Sequence, residues 1–309
     1  MSHVTDSLHP LDISICIANY NGSEILGACL ESIYQQNTRA SYEIIVHDDA
    51  STDGSIEGLI AAHPHVRIIR AEHNVGYCVS NQRMAKEAEG SLLLLLNNDV
   101  ELMPGALEAL YSASRDAAPS IYSLTEYTMS GELSCRGMGM DIFFTPFHCK
   151  SPRQKVAFAM GACLMIDREL WFEVGGYPEF FEYTCEDFYL CLKARARGVP
   201  IRVINESGYR HHMGKSINPE GISLERRRKS ERNRLYIINE LLPVRERIFV
   251  WPLFMMNSFL EMAWHAVSMR SFAPLRPLPG LQEHESEYVS VWSLLTWRAT
   301  KFLYFLGRS

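Results

Sequence analysis

Several signatures that would each name a function class are missing from this chain. No G-x-G-x-x-G turn follows its first apolar run and no P-loop is present, so dinucleotide-binding dehydrogenases, kinases and ATPases find no support. The 8 cysteines form no C-x-x-C pair, and Cys16, Cys163 and Cys191 fall inside apolar runs. That pattern indicates reduced, buried thiols and a cytoplasmic setting. Positive charge is not in excess: the formal net charge is −6, which argues against nucleic acid as a partner. Residues 1–10 are polar and lack the apolar core of a signal peptide. There is no internal repeat. What remains is a chain of 309 residues, 47% hydrophobic and 21% charged, long enough to bury a large core without disulfide staples.

The organising stretch is Ser91 to Val100. Five consecutive leucines, Leu92 to Leu96, read as a strand buried on both faces, as in the middle of a parallel sheet covered by helices. The run stops at Asn97-Asn98-Asp99, where open α/β sheets hold their ligands. Asp99 offers a carboxylate of the kind a hard divalent cation takes beside a nucleotide's phosphates. A plain strand-to-loop turn is the competing reading. Upstream, Ile13 to Ala18 and Glu43 to Val46 read as strands, and so does Val66 to Ile69. Helical patterns at about Glu24 to Gln35, after Ser55, and from Tyr77 to about Ala88 alternate with them. Such alternation predicts right-handed βαβ crossovers and a mostly parallel, Rossmann-like sheet flanked by helices. Asn19 and Asn21, Asp48 and Asp49, and Asn97 to Asp99 then all arrive at one sheet edge. A carboxylate there can accept the N–H of a base or a ribose hydroxyl, although Ser51, Thr52 and Asp53 also suit a helix cap.

Pro104 to about Ser114 reads as a short helix, and residues 115–158 as short strands and a loop over the site. Ala157 to Ile166 reads as a buried strand interrupted at Gly161-Ala162, where small residues admit a close backbone approach. Thr184-Cys185-Glu186-Asp187 opens a helix, Phe188 to Arg197, that Gly198 stops. The acids there serve either as capping groups or as a rigidly held base. His211-His212 follows the strand Ile201 to Ile204, with Lys215 and Ser216 as phosphate contacts. Arg226 to Arg234 is a basic run, read equally as a solvated helix face or as a contact for a diphosphate or anionic lipid. Ile248 to Met269 is apolar but holds Pro252, Asn257, Glu261 and His265, so it makes a poor spanning helix. Leu295, Ala299, Phe302 and Leu306 form a later apolar stripe. These segments suit a membrane surface or a packing partner.

The ordered set Ile15 to Gly22, Val46 to Ser55, Asn74-Val75-Gly76 with Asn81, Leu96 to Asp99, Met160 to Met165, Val174 to Tyr177, Cys185 to Leu190, His211 to Ser216 and Arg232-Asn233 resembles the family 2 glycosyltransferases, which have the GT-A fold. Within that family it is most similar to the bacterial rhamnosyltransferase-like enzymes of surface polysaccharide assembly. The resemblance implies an inverting enzyme that moves a sugar from a UDP- or dTDP-sugar to a hydroxyl of a cell-surface glycan or lipid-linked saccharide. It further implies Asp187 as general base with Glu186 beside it, and a donor site built from Asn19, Asn21, Asp48, Asp49, Asn74, Gly76, Asn81, Asn98 and Arg232. A divalent metal, Mn2+ or Mg2+, is implied at Asp99 with His211 or His212. Two departures stand out: Asn97 replaces the first acid of the family's metal motif, and Tyr189 replaces the last aspartate of its Glu-Asp-x-Asp pattern. The implied division is a transferase domain over residues 1–240 (nucleotide part about 11–100, acceptor part about 101–240) and a helical extension over 241–309. That extension is the expected contact with the inner membrane face or a second copy. A non-catalytic nucleotide-sugar-binding or scaffold protein is the alternative from another class.

Overall fold

A computed structural model describes residues 11–115, 118–212 and 224–269. The first part runs β1 (Ile13–Asn19), α1 (Leu26–Tyr34), β2 (Tyr42–Asp48), α2 (Ser55–Ala62), β3 (Arg67–Arg70), α3 (Tyr77–Glu87) and β4 (Leu92–Asn97). These strands are parallel and ordered β3-β2-β1-β4, as the alternation predicts. Then follow β5 (Val100–Leu102), α4 (Ala106–Arg115), β6 (Ile121–Tyr127), β7 (Leu133–Cys135), β8 (Met138–Met140) and β9 (Pro146–His148). The chain continues with β10 (Cys163–Asp167), α5 (Arg168–Val174), α6 (Glu186–Ala196), β11 (Ile201–His211), α7 (Leu224–Leu241) and α8 (Val244–Met269). The sheet extends beyond β4 through β10, β6, β11 and β5, with β10 antiparallel to both its neighbours.

Side chains of successive strand residues point to opposite faces, and the leucine strand shows the consequence. Leu93 and Leu95 belong to the core under α3, α5, α6, α7 and α8. Leu92, Leu94 and Leu96 belong to the core under α1, α2 and α4. One strand therefore nails two hydrophobic layers together, which is why no polar residue interrupts it.

Two boundaries differ from the sequence reading, each for a local reason. The strand expected over Ala157 to Ile166 begins only at Cys163. Ahead of it the Gly161 amide donates to the Asp187 carboxylate instead of to a sheet ladder (2.9 Å), and Phe158 bridges Met138. Conversely, the strand expected over Ile201 to Ile204 runs on to His211, crossing a bulge between Ile204 and Gly208 before pairing with β5. His211 thus ends a strand rather than lying beyond it.

Gly90 seats β4 against β1: an added Cβ would stand 2.5 Å from the Ser14 nitrogen and 2.7 Å from the Ile13 carbonyl carbon. Gly58, exposed within α2, has nothing within 4 Å of that position. Gly90→Ala should therefore destabilise by about 1–3 kcal/mol through overpacking. Gly58→Ala should stabilise by roughly 0.5–1 kcal/mol through helix propensity. Denaturant midpoints moving in the same direction for both variants would refute this account of the β1–β4 contact.

Candidate active site

The carboxyl ends of β1, β2 and β4 are tied to one another by side chains. Asn19, buried at the tip of β1, donates through Nδ2 to Ser51 (3.3 Å) and Ser55 (3.2 Å) beyond β2, and accepts through Oδ1 from Asn98 Nδ2 (2.9 Å) beyond β4. Asn21 has a left-handed backbone (φ 51) and accepts from the Thr52 amide (2.9 Å). Asp48 accepts from the Ser51 amide (3.2 Å), turning the loop back on its strand. Asp49 accepts from two successive amides, Val75 (2.7 Å) and Gly76 (2.9 Å), at the mouth of α3. Its carboxylate is locked in orientation, and each oxygen keeps a second lone pair. Asn74 is exposed on the same loop, whereas Asn81 lies buried on α3 and donates to the Tyr77 carbonyl (2.8 Å). Of the donor-site candidates, Asn19, Asn21, Asp48, Asp49 and Asn98 share one hydrogen-bonded edge with the loop that holds Asn74 and Gly76.

Beyond β4, Asp99 is buried and its Oδ1 stands 3.2 Å from His211 Nε2. The other ring nitrogen, Nδ1, stands 3.3 Å from Glu126 Oε2. Glu126, fully buried near the end of β6, also accepts from Tyr209 (3.1 Å) and Ser134 (2.6 Å). Burial alone would push the His211 imidazole down; its hydrogen bonds to Asp99 and Glu126, with their charges, reverse this and lift it to about 9. Burial raises the Glu126 carboxyl, and the bonds from His211, Ser134 and Tyr209 more than offset it, so it falls below the ordinary glutamate value. The neighbouring His212 contacts Glu101 (3.0 Å), with its amide on the Asp99 carbonyl. Of the two histidines, His211 is therefore the one whose ring stands beside Asp99. Glu126 was invisible in the sequence reading, although a lone carboxylate in the run Ile121–Tyr127 was a signal.

A divalent metal fits this corner. Asp99 and His211 supply an oxygen and a nitrogen donor, and Asn97 Oδ1 is buried without a hydrogen-bond partner beside them in sequence. Among the described residues no group of three or more His, Cys, Asp or Glu side chains could hold a metal unaided. A metal here would need the diphosphate's oxygens as well. Lys215 and Ser216 lie outside the described residues.

The acid pair opens α6. Asp187 accepts from the Gly161 amide (2.9 Å) and from its own helix at Phe188 (2.7 Å). The Gly161 carbonyl accepts from Tyr77 (3.4 Å), and the next carbonyl, Ala162, accepts from the Asn97 amide (3.0 Å). One short segment thus links the pair to the tip of β4. Glu186 Oε2 is buried with no hydrogen-bond partner among the described residues. Desolvation raises both carboxyls; the Asp187 charge raises Glu186 further, while backbone amides moderate Asp187. Both acids lie in the first turn of α6, where Asp187 takes the Phe188 amide, but the cap position itself is Cys185 in a left-handed conformation with no side-chain cap bond, and Thr184 Oγ1 is buried without a hydrogen-bond partner among the described residues. Each left-handed non-glycine residue costs about 1–2 kcal/mol, and Glu182 (φ 63), Thr184 (φ 72) and Cys185 (φ 65) are three in four. Arg232 contacts this loop: it donates to the Phe180 carbonyl (3.0 Å) and to Asn233 Oδ1 (3.0 Å), and its Nη1 stands 3.7 Å from Glu182.

Residues 14–173, just over half of the chain, match the model of Glycosyl transferase family 2. The chain is 23% identical over 230 residues to the O-antigen biosynthesis protein RfbC of Myxococcus xanthus, covering 68% of this chain and 18% of that protein. It is 26% identical over 187 residues to an N-acetylglucosaminyl-diphospho-decaprenol L-rhamnosyltransferase of Mycobacterium tuberculosis, covering 48% of this chain and 60% of that one. It therefore spans less than two thirds of the length of either relative. Among solved structures it resembles GalNAc-T7 with UDP, GalNAc and Mn2+ (TM-score 0.63, 16% identity, 87% of this chain and 60% of that one). It also resembles S. aureus TarS 1–349 in complex with UDP-GlcNAc (TM-score 0.62, 16% identity, 84% and 76%). These likenesses define a GT-A fold. Because the family model reaches from β1 through most of α5 and the polar strand ends it contains converge on one edge, the chain belongs to glycosyl transferase family 2.

Proposed function

We propose that this chain is an inverting glycosyltransferase that moves a sugar from a UDP- or dTDP-sugar to a hydroxyl of a growing bacterial cell-surface glycan or lipid-linked saccharide. The observation that carries the reading is the Gly161-Ala162 segment, which receives the Asp187 carboxylate on one side and the β4 tip on the other. On this reading the segment ties the base to the leaving-group site. On this reading residues 1–240 form the transferase unit. Asn19, Asn21, Asn98 and Asp48 or Asp49 line the nucleotide's edge, and Asp49 is the better oriented of the two acids because two amides fix it.

Asp187 takes the proton from the acceptor hydroxyl while that oxygen attacks the anomeric carbon and the bond to the diphosphate oxygen breaks. A raised carboxyl pKa suits it to this task near neutral pH. Glu186, held protonated by burial and by its neighbour's charge, donates a hydrogen bond to the acceptor. Asp99 and His211 would hold the divalent ion, Mn2+ or Mg2+, and Glu126 sets the His211 ring. When bound, that ion supplies charge stabilisation to the leaving diphosphate.

The acceptor named for the mycobacterial relative is lipid-linked, and α8 fits such a substrate. Val244, Ile248, Phe249, Met256, Phe259 and Leu260 are exposed along it, with Arg245 exposed beside them. No helix among the described residues is long and apolar enough to cross a membrane. We place α8 on the inner face of the cell membrane, and its cytoplasmic side agrees with eight free cysteines. The stripe at Leu295 to Leu306 lies outside the described residues.

Four tests follow from this reading. A thermal-shift panel that includes UDP-GlcNAc and dTDP-L-rhamnose, with Mn2+ and with Mg2+, selects the donor. Asp187→Asn should then keep donor affinity and lose transfer by roughly a hundredfold or more; undiminished turnover would remove Asp187 from the reaction. Asp99→Asn should weaken UDP binding in Mn2+ buffer and abolish its sensitivity to chelator, read by calorimetry; wild-type protein binding UDP identically with and without EDTA would defeat the metal assignment. The protein should float with anionic lipid vesicles, and Phe249→Glu with Phe259→Glu should not. Flotation unaffected by these charges would take α8 off the membrane.

A further inference from the structure

Three left-handed non-glycine residues in four is an arrangement a chain does not adopt unless something holds it there. Glu182, Thr184 and Cys185 adopt it immediately before Glu186 and Asp187. What holds them is one face of α7. Asn233, with no exposed surface, donates through Nδ2 to the Thr184 carbonyl at 2.9 Å, and lies 3.3 Å from the Phe181 carbonyl and 3.5 Å from that of Tyr183. Arg232 donates to Asn233 Oδ1, which fixes the amide with its nitrogen toward the loop, and to the Phe180 carbonyl. Lys229 pairs with Glu182 at 2.5 Å and stands 4.6 Å over the Tyr183 ring, and Ser230 contacts the Cys185 sulfur. From the opposite side the Cys78 amide, at the start of α3, donates to the Glu182 carbonyl (3.1 Å), and Gly76 abuts the same peptide. The loop is clamped between the helix that Asp49 anchors and the helix that carries Asn233.

We infer that Asn233 is a positioning residue for the acid pair: its amide holds the strained loop 182–185 in the one conformation that aims Asp187 into the cleft, and Arg232 orients that amide rather than binding the nucleotide. The inference rests on Asp187 being the base. A purely structural role, packing α7 against α6, is a different claim. It gives no reason for an amide whose nitrogen meets three carbonyls of this loop, those of Phe181, Tyr183 and the left-handed Thr184. A carboxylate at this position would face those carbonyls with lone pairs, so Asn233→Asp should be worse than Asn233→Ala, although it is nearly isosteric.

The experiment uses the full chain and compares kcat with donor KM and with UDP affinity. Asn233→Ala should lower kcat at least tenfold, leave KM for the panel-selected donor and UDP affinity within about twofold, and shift the acid limb of the pH–rate profile. Arg232→Ala should give the same split at smaller amplitude, and it serves where Asn233→Ala does not fold. The deciding arm is relief of strain. Thr184→Gly with Cys185→Gly removes the left-handed penalty, so adding both to Asn233→Ala, or to Arg232→Ala, should restore part of kcat. Failure of the glycines to restore any rate overturns the inference, as does an Asn233→Ala enzyme with wild-type kcat. A rise in KM for Arg232→Ala with kcat unchanged overturns the role given to that side chain. Asp187→Asn run in parallel separates the two layers: if it turns over normally the base assignment fails, whereas a dead Asp187→Asn beside a fully active Asn233→Ala sinks the clamp alone.

Discussion

The peptide at Gly161 is the junction on which the two halves of this molecule depend. Its amide reaches Asp187 at the start of α6, its carbonyl receives Tyr77 from the start of α3, and the next carbonyl takes the Asn97 amide at the tip of β4. A Cβ there would stand 3.1 Å from the Asp187 Cβ, closer than ordinary contact, so glycine eases the approach. The same hydrogen bonds that satisfy otherwise orphaned backbone groups also set the spacing between the sheet edge and the acid pair. Burying these polar groups in place is costly unless each finds a partner, which makes the geometry hard to vary piecemeal.

Charge is handled in two different ways on the two walls of the cleft. On the β4 side, the buried carboxylates of Asp99 and Glu126 flank His211, one at each ring nitrogen. On the α6 side, Glu186 and Asp187 are neighbours of like charge, and the buried Glu186 oxygen has no hydrogen-bond partner among the described residues. Like charges in a desolvated setting do not both ionise easily, so the carboxyls shift upward. One wall is built to keep charge and the other to hold a proton. The proposed displacement, with a departing anion on one side and a deprotonating hydroxyl on the other, would use that asymmetry.

Backbone strain is concentrated where the acid pair begins. The loop between Pro178 and Glu186 is wedged by α3 on one side and α7 on the other, and its three left-handed residues persist because both flanks supply donors to its carbonyls. Through Asp49, which accepts from the amides of residues 75 and 76, the polar strand ends and this loop share α3 as a common support.

The sequence by itself determined the alternating α/β frame, because five leucines without a polar break suit a strand with two covered faces, and parallel strands deliver the polar residues at their ends to one edge. It also determined the family, through ordered motifs from Ile15 to Asn233. Only the tertiary structure decided which members of those motifs work together. The extension of the β11 strand to His211 set that ring beside Asp99, while His212, just past the strand end, meets Glu101. Glu126, in a stretch with no readable pattern, joined them across 85 residues of chain. Arg232 went to the loop ahead of the acids because its partners are backbone carbonyls, and carbonyls carry no mark in a sequence. Periodicity and composition record which side of an element is buried; they do not record which two elements meet, and the site is made of such meetings.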